Sequence, residues 1–263
     1  MSRPTIALVT DFGIRDHYAG TMKGVVLTLC PEAAIVDITH EIPVHDVQAG
    51  AIELAAAYKY FPHGTIFLAV VDPGVGSNRR ALVAEAGPYR FVAPDNGVLT
   101  IVFKELEPRR VVELTERRYA RPTVSRTFEG RDRFAPAAGW LAKGVDVTAM
   151  GRPLAAWQKL DLPEPVAGDG LLTGQVVRVD RFGNLVTNID RRLFEQFRHG
   201  APIEIAAGEK PVERLVATYA EAPEGAICAL FGSSDHLEIA VNGASAAEAL
   251  RLGRGATVRI DRR

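Results

Sequence analysis

The sequence predicts an α/β fold in two parts: an N-terminal, mostly parallel α/β layered domain and a small C-terminal antiparallel β-barrel-like domain. Over residues 1–158, short apolar runs of strand length alternate with segments whose apolar residues recur at helical spacing. Over residues 168–263, strand candidates follow one another closely, which is typical of small antiparallel barrels or sandwiches. Residues 157–170 contain several prolines and glycines and mark the boundary between the two predicted domains.

The N-terminal domain is predicted to contain apolar strands connected by helices. Helix 17–29 ends before Pro31, and helix 47–60 carries apolar residues at helical spacing up to the breakers Pro62 and Gly64. Apolar strands that alternate with helices favour a largely parallel sheet with helices on its faces. The predicted strands are 6–10, 34–38, 65–71, 80–86 and 90–94, and the other predicted helices are 98–104 and 134–143.

The C-terminal domain is predicted to consist mainly of β-structure. Its candidate strands are short and separated by turn residues, so neighbouring strands can pair as hairpins. The predicted strands are 172–180, 185–189, 203–205, 212–218, 226–231, 237–241 and 257–260.

Composition and charge exclude several classes of protein. Of the 263 residues, 47% are hydrophobic and 24% are charged, which is ordinary for a globular protein and unlike a disordered or fibrous one. The formal net charge of −1 provides no general attraction to nucleic acid or to an anionic membrane. Cys30 and Cys228 lie far apart in apolar runs, and we expect them to be buried thiols. Because we find no signal-peptide pattern and no apolar run of ~20 residues, we expect a cytoplasmic protein without nucleic-acid or membrane partners.

Three acidic turns each follow a predicted strand of the N-terminal domain. They are Asp11-Phe12-Gly13, Asp72-Pro73-Gly74-Val75-Gly76 and Pro94-Asp95-Asn96-Gly97. Ligands of open parallel sheets bind beyond the carboxyl ends of the strands, and glycine lets the backbone approach a ligand closely. Asp and Gly are also common in ordinary turns, but three such turns favour a shared pocket for a hydroxyl-rich ligand such as a ribose.

Asp72 and Arg79 form the sharpest pair of candidate catalytic residues. A carboxylate at a strand end and a guanidinium seven residues later, beyond a glycine-rich bend, can meet as an ion pair or hold a water molecule together. Arginine stays protonated, so Arg79 can orient water or stabilise a developing anion but cannot act as a base. The alternative is a surface ion pair without a catalytic role.

Two polar turns of the C-terminal domain are candidate binding sites. In the segment 180–189, Asp180 and Asn184 can bind an amino group or a base edge, and Phe182 can stack on a base. The segment 231–236 is a second polar turn before an apolar strand. A bulged hairpin with a core Phe is the alternative for the first turn, and the second has the same ambiguity.

Motifs for metals and phosphates are weak or missing. The segment 40–46 contains two histidines and two acidic residues, but Pro43 breaks any helix that would align two imidazoles. The sequence has no P-loop, no complete dinucleotide fingerprint and no Gly-x-Ser-x-Gly motif. We therefore expect no metal site.

Taken together, these motifs closely resemble those of the adenosine-forming S-adenosyl-L-methionine hydrolases, also called hydroxide adenosyltransferases, whose relatives include fluorinases and chlorinases. The resemblance runs in order along nearly the whole chain and includes both domains. The motifs that carry it are Thr10-Asp11-Phe12-Gly13, the segment 37–43, Val71-Asp72-Pro73-Gly74-Val75-Gly76, Pro94-Asp95-Asn96-Gly97, Thr127-Phe128-Glu129-Gly130-Arg131-Asp132, Phe182-Gly183-Asn184 with Thr187-Asn188-Ile189, and the segment 237–242.

The resemblance implies a reaction and an assembly. Water or hydroxide attacks the 5′ carbon of S-adenosyl-L-methionine and releases adenosine and L-methionine. The sulfonium is already a good leaving group, so neither a metal nor a redox cofactor is required; what remains is to place one water in line with the carbon–sulfur bond. The resemblance also implies a homotrimer, in which substrate lies between the N-terminal domain of one subunit and the C-terminal domain of its neighbour.

The resemblance also assigns residues. Asp72 and Arg79 match two members of the family's catalytic set by motif and by spacing. The implied substrate-binding residues are Asp11 for the ribose hydroxyls, Asp180 and Ser233 for the amino and carboxylate ends of methionine, Phe182 and Asn184 for the nucleoside, and Tyr219 as a looser match for an adenine-stacking aromatic.

The third catalytic position departs from the family pattern. Where the family typically has Thr-Phe-His-Gly-Arg-Asp, this chain has Glu129 in place of the histidine. Glu129 can accept a proton or pair with Arg79, although a second carboxylate near Asp72 would repel the first. Three interpretations stay open: Glu129 replaces the histidine as the residue that orients water, it is a spectator, or it marks a slow or altered enzyme.

Two other functions compete with hydrolysis. One is halide transfer to the same carbon, but halogenases lack the Asp and Arg of the hydrolytic set, and this chain has Asp72 and Arg79. The other is a non-catalytic protein that binds S-adenosyl-L-methionine or adenosine, which the change at Glu129 makes conceivable.

Overall fold

The computed structural model describes residues 3–263, and the chain divides into two compact units between Asp161 and Leu162. Each unit has its own sheet and its own hydrophobic core. Within the described residues, every helix is too short or too polar to span a lipid bilayer.

The first unit alternates strands and helices, as the periodicity predicts. Its strands are β1 (Thr5–Thr10), β2 (Ala34–Thr39), β3 (Ile66–Val70), β4 (Ala81–Ala86), β5 (Tyr89–Pro94), β6 (Pro108–Leu114) and β7 (Gly151–Pro153). Its α-helices are α1 (Tyr18–Leu29), α2 (Val47–Ala57), α3 (Thr100–Glu105) and α4 (Ala135–Ala142).

The described part of the first unit forms a seven-stranded sheet in the order β2-β1-β3-β5-β4-β6-β7. The pairs β2/β1, β1/β3 and β3/β5 are parallel, whereas β5/β4, β4/β6 and β6/β7 are antiparallel. Antiparallel pairing starts where a tight turn through Gly87 (φ +55°) folds β5 back on β4. Strands β6 and β7 were not predicted, because the exposed Arg109 and Arg110 interrupt the apolar pattern of β6 and β7 has only three residues.

Apolar side chains cover both faces of this sheet. One cluster joins α1 and α4 to the sheet through Met22, Val26 and Leu141. The cluster on the other side includes Leu54 of α2 and Val102 of α3. All five residues of β3 are buried, as expected for a strand with helices on both sides. This buried strand ends at Val70, two residues before Asp72.

The second unit is antiparallel and barrel-like. Its described strands lie in the order β12-β11-β15-β9-β10-β14-β13, with β8 on β9. They are β8 (Val166–Gly168), β9 (Leu171–Val179), β10 (Leu185–Asp190), β11 (Ile203–Ala207), β12 (Lys210–Val212), β13 (Ile227–Phe231), β14 (His236–Val241) and β15 (Thr257–Arg262). The helices α5 (Arg191–Arg198) and α6 (Ala246–Leu250) complete the unit. The predicted two-domain α/β fold class is thus confirmed, but the strand predicted at 212–218 is wrong, since β12 ends at Val212.

Helix α5 begins at a capped turn that links it to β10. The Asp190 carboxylate accepts a hydrogen bond from the backbone amide of Leu193 at 2.7 Å. This bond satisfies one of the amide groups that the first turn of a helix leaves without a partner. Phe194 then packs into the barrel core.

The cap predicts a measurable loss of stability. Asp190→Ala should lower the free energy of unfolding by about 1 kcal/mol, because it removes the acceptor at the start of α5. Asp190→Asn keeps an acceptor oxygen and should stay close to the wild type. Urea unfolding followed by circular dichroism measures both variants. Equal losses in the alanine and asparagine variants would contradict the capping role.

Glu238 is a buried carboxylate in the otherwise apolar β14. It is 6% exposed, and its Oε2 accepts a hydrogen bond from the hydroxyl of Tyr219 at 2.8 Å. A Cβ atom at Gly232 would overlap its carboxylate, so the glycine makes room for it. Burial raises the pKa of Glu238, and the charge of Asp180 adds to the rise, while the hydrogen bond from Tyr219 opposes it.

The raised pKa predicts how stability depends on pH. A carboxyl group whose pKa is higher in the folded protein stabilises it at acid pH, and this contribution is lost as pH rises from the unfolded value through the folded pKa. Glu238→Gln stays neutral, so its melting temperature relative to the wild type should increase as the pH rises above about 4, the ordinary pKa range of a glutamate. Glu116→Gln, at a half-exposed position, serves as the control for the loss of one carboxylate. A Glu238→Gln difference that does not change with pH would contradict the prediction.

Candidate active site

One guanidinium joins two carboxylates at the end of β3. Arg79 Nε donates to Asp72 Oδ1 at 2.8 Å and to Oδ2 at 3.0 Å, and its Nη2 also contacts Oδ2. The same Nη2 donates to Oε2 of Glu129. The three side chains are nearly buried, with exposed fractions of 9% for Arg79, 5% for Asp72 and 11% for Glu129. The structure therefore brings all three sequence-predicted catalytic residues together.

The environment of Arg79 keeps its charge in place. The guanidinium lies 5.1 Å from the centre of the Phe134 ring, a cation–π distance. Burial opposes the charged form, but the hydrogen bonds and charges of Asp72 and Glu129 outweigh burial and raise the pKa of Arg79 above its ordinary value. Arg79 is therefore a fixed cation, as its chemistry requires.

The turn between Asp72 and Arg79 has a backbone that needs glycine. Gly76 has a φ of +74°, and a Cβ atom there would overlap the carbonyl oxygen of Arg126. Hydrogen bonds from Val75 N to Asp72 O (3.2 Å) and from Ser77 N to Gly74 O (3.1 Å) fold the turn back on itself. This path returns the chain so that Arg79 meets the carboxylate seven residues earlier.

Glu129 is held by a second arginine that the sequence did not indicate. A π-helical turn over Gly130–Phe134 follows Glu129 and leads into α4. Arg133 Nη1 donates to Glu129 Oε1 at 3.1 Å, and its Nη2 donates to the carbonyl of Leu114 at 2.7 Å. Glu129 and Arg133 are four residues apart in the sequence, and residues at this spacing meet on one side of a helix, so the spacing could have indicated their contact.

Asp72 and Glu129 line a cleft of about 270 Å³ together with Asp11. Asp11 Oδ2 accepts a hydrogen bond from the backbone amide of His45 at 2.9 Å. Phe128 forms an aromatic wall with Tyr18, ring centres 5.1 Å apart. The cleft thus combines carboxylates with aromatic surface, a combination suited to a ligand with hydroxyl groups and an apolar part.

The third acidic turn does not join this cleft. Asp95 pairs with Arg80, and it accepts a hydrogen bond from the backbone amide of Gln158 at 2.7 Å. Its carboxylate is 2% exposed. The expectation of one pocket shared by all three turns is therefore wrong for this turn, because Asp95 ties down the segment after β7.

A larger cleft of about 870 Å³ lies on the second unit. It is lined by all five residues of this unit that the sequence assigned to substrate binding: Asp180, Phe182, Asn184, Tyr219 and Ser233. Phe182 is 79% exposed, so one large aromatic face is free for contact. Glu238 also lines this cleft and was missed, because its strand has an apolar pattern.

Asp180 orders the turn in which it lies. Its Oδ1 accepts hydrogen bonds from the backbone amides of Phe182 and Asn184, both at 2.9 Å. Its Oδ2 accepts from Nδ2 of Asn184, also at 2.9 Å. Gly183 takes a φ of +85° between them. The turn therefore presents Phe182 and Asn184 in a fixed arrangement before any ligand binds.

Comparison with solved structures supports the fold of the whole chain. A crystal structure described as an uncharacterized conserved protein from Thermotoga maritima superposes with a TM-score of 0.93 at 35% identity. The match covers 98% of this chain and 100% of that chain.

Sequence relatives have names that state an activity. A Thermus thermophilus protein named (R)-S-adenosyl-L-methionine hydrolase is 38% identical, over 97% of this chain and 98% of its own. A Salinispora tropica protein of the same name is 36% identical, over 98% and 97%. A Nocardia brasiliensis protein named fluorinase is 33% identical, over 98% and 97%.

Family models match both parts of the chain. The SAM hydroxide adenosyltransferase N-terminal domain matches residues 6–151, and the corresponding C-terminal domain matches residues 174–259. With relatives of 35–38% identity along nearly the whole length, the chain belongs to the SAM hydroxide adenosyltransferase family.

Proposed function

We propose that this protein hydrolyses S-adenosyl-L-methionine to adenosine and L-methionine by attack of water or hydroxide on the 5′ carbon. The observation that carries the proposal is the buried network of Asp72, Arg79 and Glu129 at a cleft, in a chain of this family. The names of the hydrolase relatives support the same reaction.

The reaction needs little more than positioning. An oxygen–carbon bond forms at the 5′ carbon while the carbon–sulfur bond breaks, and sulfur takes the electron pair to become the neutral thioether of methionine. The attacking water loses a proton to solvent or to a nearby acceptor. Because the sulfonium leaves readily, the enzyme gains most by holding one water in line with the bond that breaks.

Asp72 supplies the acceptor that holds this water. Its carboxylate faces the cleft, and bidentate contact with Arg79 prevents its rotation. Arg79 stays protonated, so its part is to fix both carboxylates and to balance their charge. Glu129 holds the other side of the same guanidinium.

We assign the remaining contacts on the family pattern and on the two clefts. Asp11 holds the ribose hydroxyls in the first cleft. In the second cleft, Asp180 and Ser233 bind the amino and carboxylate ends of methionine. Phe182, Asn184 and Tyr219 contact the nucleoside, and the exposed ring of Phe182 offers a stacking surface.

The proposal includes an assembly and a location. We expect a homotrimer in the cytoplasm, because the family pattern uses residues of two subunits for each substrate. Size-exclusion chromatography with light scattering measures the assembly directly. A protein that is monomeric while fully active would contradict the trimer without affecting the reaction.

Labelled water distinguishes hydrolysis from halide transfer. Halide transfer is the relevant alternative because one relative is named fluorinase. We expect incubation with S-adenosyl-L-methionine in ¹⁸O-water to place the label in adenosine, with or without chloride or fluoride. Mass spectrometry of the nucleoside product gives the result. A halogenated nucleoside, or saturable binding without any product, would overturn the proposal.

Removing either member of the central pair should stop turnover. Asp72→Asn removes the charge that binds Arg79, and Arg79→Met removes the guanidinium that fixes the Asp72 carboxylate, so each should lower kcat by about 100-fold or more. Adenosine binding, measured by calorimetry, should change much less. Unfolding curves check that the variants fold, and Arg118→Met, which removes an arginine that is 66% exposed, serves as the charge control. Full turnover in either variant would show that the site assignment is wrong.

A further inference from the structure

We propose that Arg133 is a positioning residue that balances the charge of Glu129 and thereby keeps Arg79 in contact with Asp72. The inference rests on the proposed hydrolysis and concerns a residue outside the sequence-predicted catalytic set.

The charges of the Asp72–Arg79–Glu129 network cancel only when Arg133 is included. Asp72 and Glu129 are two carboxylates with exposed fractions of 5% and 11%, and Arg79 contacts both. One guanidinium between two carboxylates leaves a net charge of −1 in a place with little water. An uncompensated buried charge strongly destabilises a site. Arg133, which is 25% exposed, supplies the second positive charge through its contact with Glu129.

Two hydrogen bonds hold the Arg133 guanidinium beside Glu129. Its Nη2 donates to the carbonyl of Leu114, the last residue of β6, which aims its Nη1 at Glu129. The planar guanidinium can make both contacts at once, whereas a lysine has a single nitrogen that cannot reproduce the fork. The end of β6 therefore holds Arg133 in place, and Arg133 in turn holds Glu129.

The two oxygens of Glu129 have separate partners. Oε1 accepts from Arg133 and Oε2 accepts from Arg79. Without Arg133, Oε1 loses its donor, and the carboxylate becomes free to rotate or to draw Arg79 away from Asp72. The acceptor for water would then lose its alignment. A small displacement of this kind lowers the rate of the chemical step without removing any group that contacts substrate.

The need for a second arginine arises because position 129 is a glutamate here and a histidine in the family pattern. A neutral imidazole at position 129 would leave only one buried carboxylate for Arg79 and would not need a second cation. Arg133 supplies the positive charge that a glutamate at position 129 requires.

The decisive experiment is a double-mutant cycle with kinetics. Arg133→Leu should lower kcat by about tenfold. The KM for the cationic substrate should not rise, because the variant site is more negative. Arg133→Lys keeps the charge and should recover part of the loss. In a Glu129→Gln background, Arg133→Leu should have little further effect, since no charge remains to be balanced.

Several results would overturn the inference. Wild-type kcat in Arg133→Leu would do so, and so would the same fold-loss with and without the Glu129→Gln substitution. A rise in KM that accounts for the whole loss would indicate a merely structural role. Arg118→Leu, at an exposed site, controls for the loss of a positive charge and should keep wild-type kinetics.

A second readout separates this inference from the proposed reaction. In urea unfolding, Arg133→Leu should lower the midpoint more when Glu129 is intact than in the Glu129→Gln background. If wild type released no adenosine, the proposed function would be overturned, and the unfolding cycle would still decide whether Arg133 balances Glu129. Equal shifts of the midpoint in both backgrounds would count against the charge balance.

Discussion

The candidate site depends on one guanidinium that two buried carboxylates share. Arg79 can stay between Asp72 and Glu129 because its charge never leaves it and because its five N–H groups lie in one plane. Three parts of the chain meet there: the turn after β3, the segment just before β4 and the residue before the π-helical turn. Each part is fixed by the packed core of the first unit, so the positions of the carboxylates are set before substrate arrives. Fixed groups of this kind require little reorganisation during a reaction, which is the advantage that a folded site has over water.

The two units carry different kinds of chemistry. In the first unit, the cleft brings charged groups together with aromatic surface, and its carboxylates are held by arginine or by backbone amides. In the second unit, the larger cleft has an exposed phenylalanine, an asparagine fixed by its own turn, and the Tyr219–Glu238 hydrogen bond. The first set suits the reacting end of a sulfonium substrate, and the second suits recognition of flat and polar groups. Both sets of side chains lie mainly on turns: the turns after β1 and β3 in the first unit, and the turn between β9 and β10 and the segment before β13 in the second.

Much of the fold could be predicted because its signals are local. Apolar runs of strand length and helical spacing indicated most elements of the first unit, and the turn after β3 indicated the pair Asp72 and Arg79. What the sequence could not reveal depends on contacts between distant segments. Helix α5 has only eight residues and a strongly polar composition, and the packing of Leu193, Phe194 and Phe197 on the barrel core depends on the strands around it. Arg133 acquires its partner only when β6, itself interrupted by charged residues, places the carbonyl of Leu114 beside it. Glu238 lies in a strand that otherwise has the pattern of a core strand, and its place in the cleft depends on Tyr219 and on the space at Gly232.

The contacts of Glu129 also narrow what this residue can do. The sequence left three interpretations, and a spectator would not be expected to contact the guanidinium that holds the other carboxylate. Both of its oxygens accept hydrogen bonds from arginines, so a proton taken up there would disrupt an ion pair inside the protein. Attack of water on the carbon bonded to the sulfonium does not require Glu129 to take up a proton. The leaving group is good, and the water needs alignment more than it needs a strong base. The same reasoning applies to Asp72, which is held by Arg79 on both oxygens. We infer that the carboxylates orient water. On this inference, a glutamate can replace the histidine of the family pattern when a second arginine accompanies it.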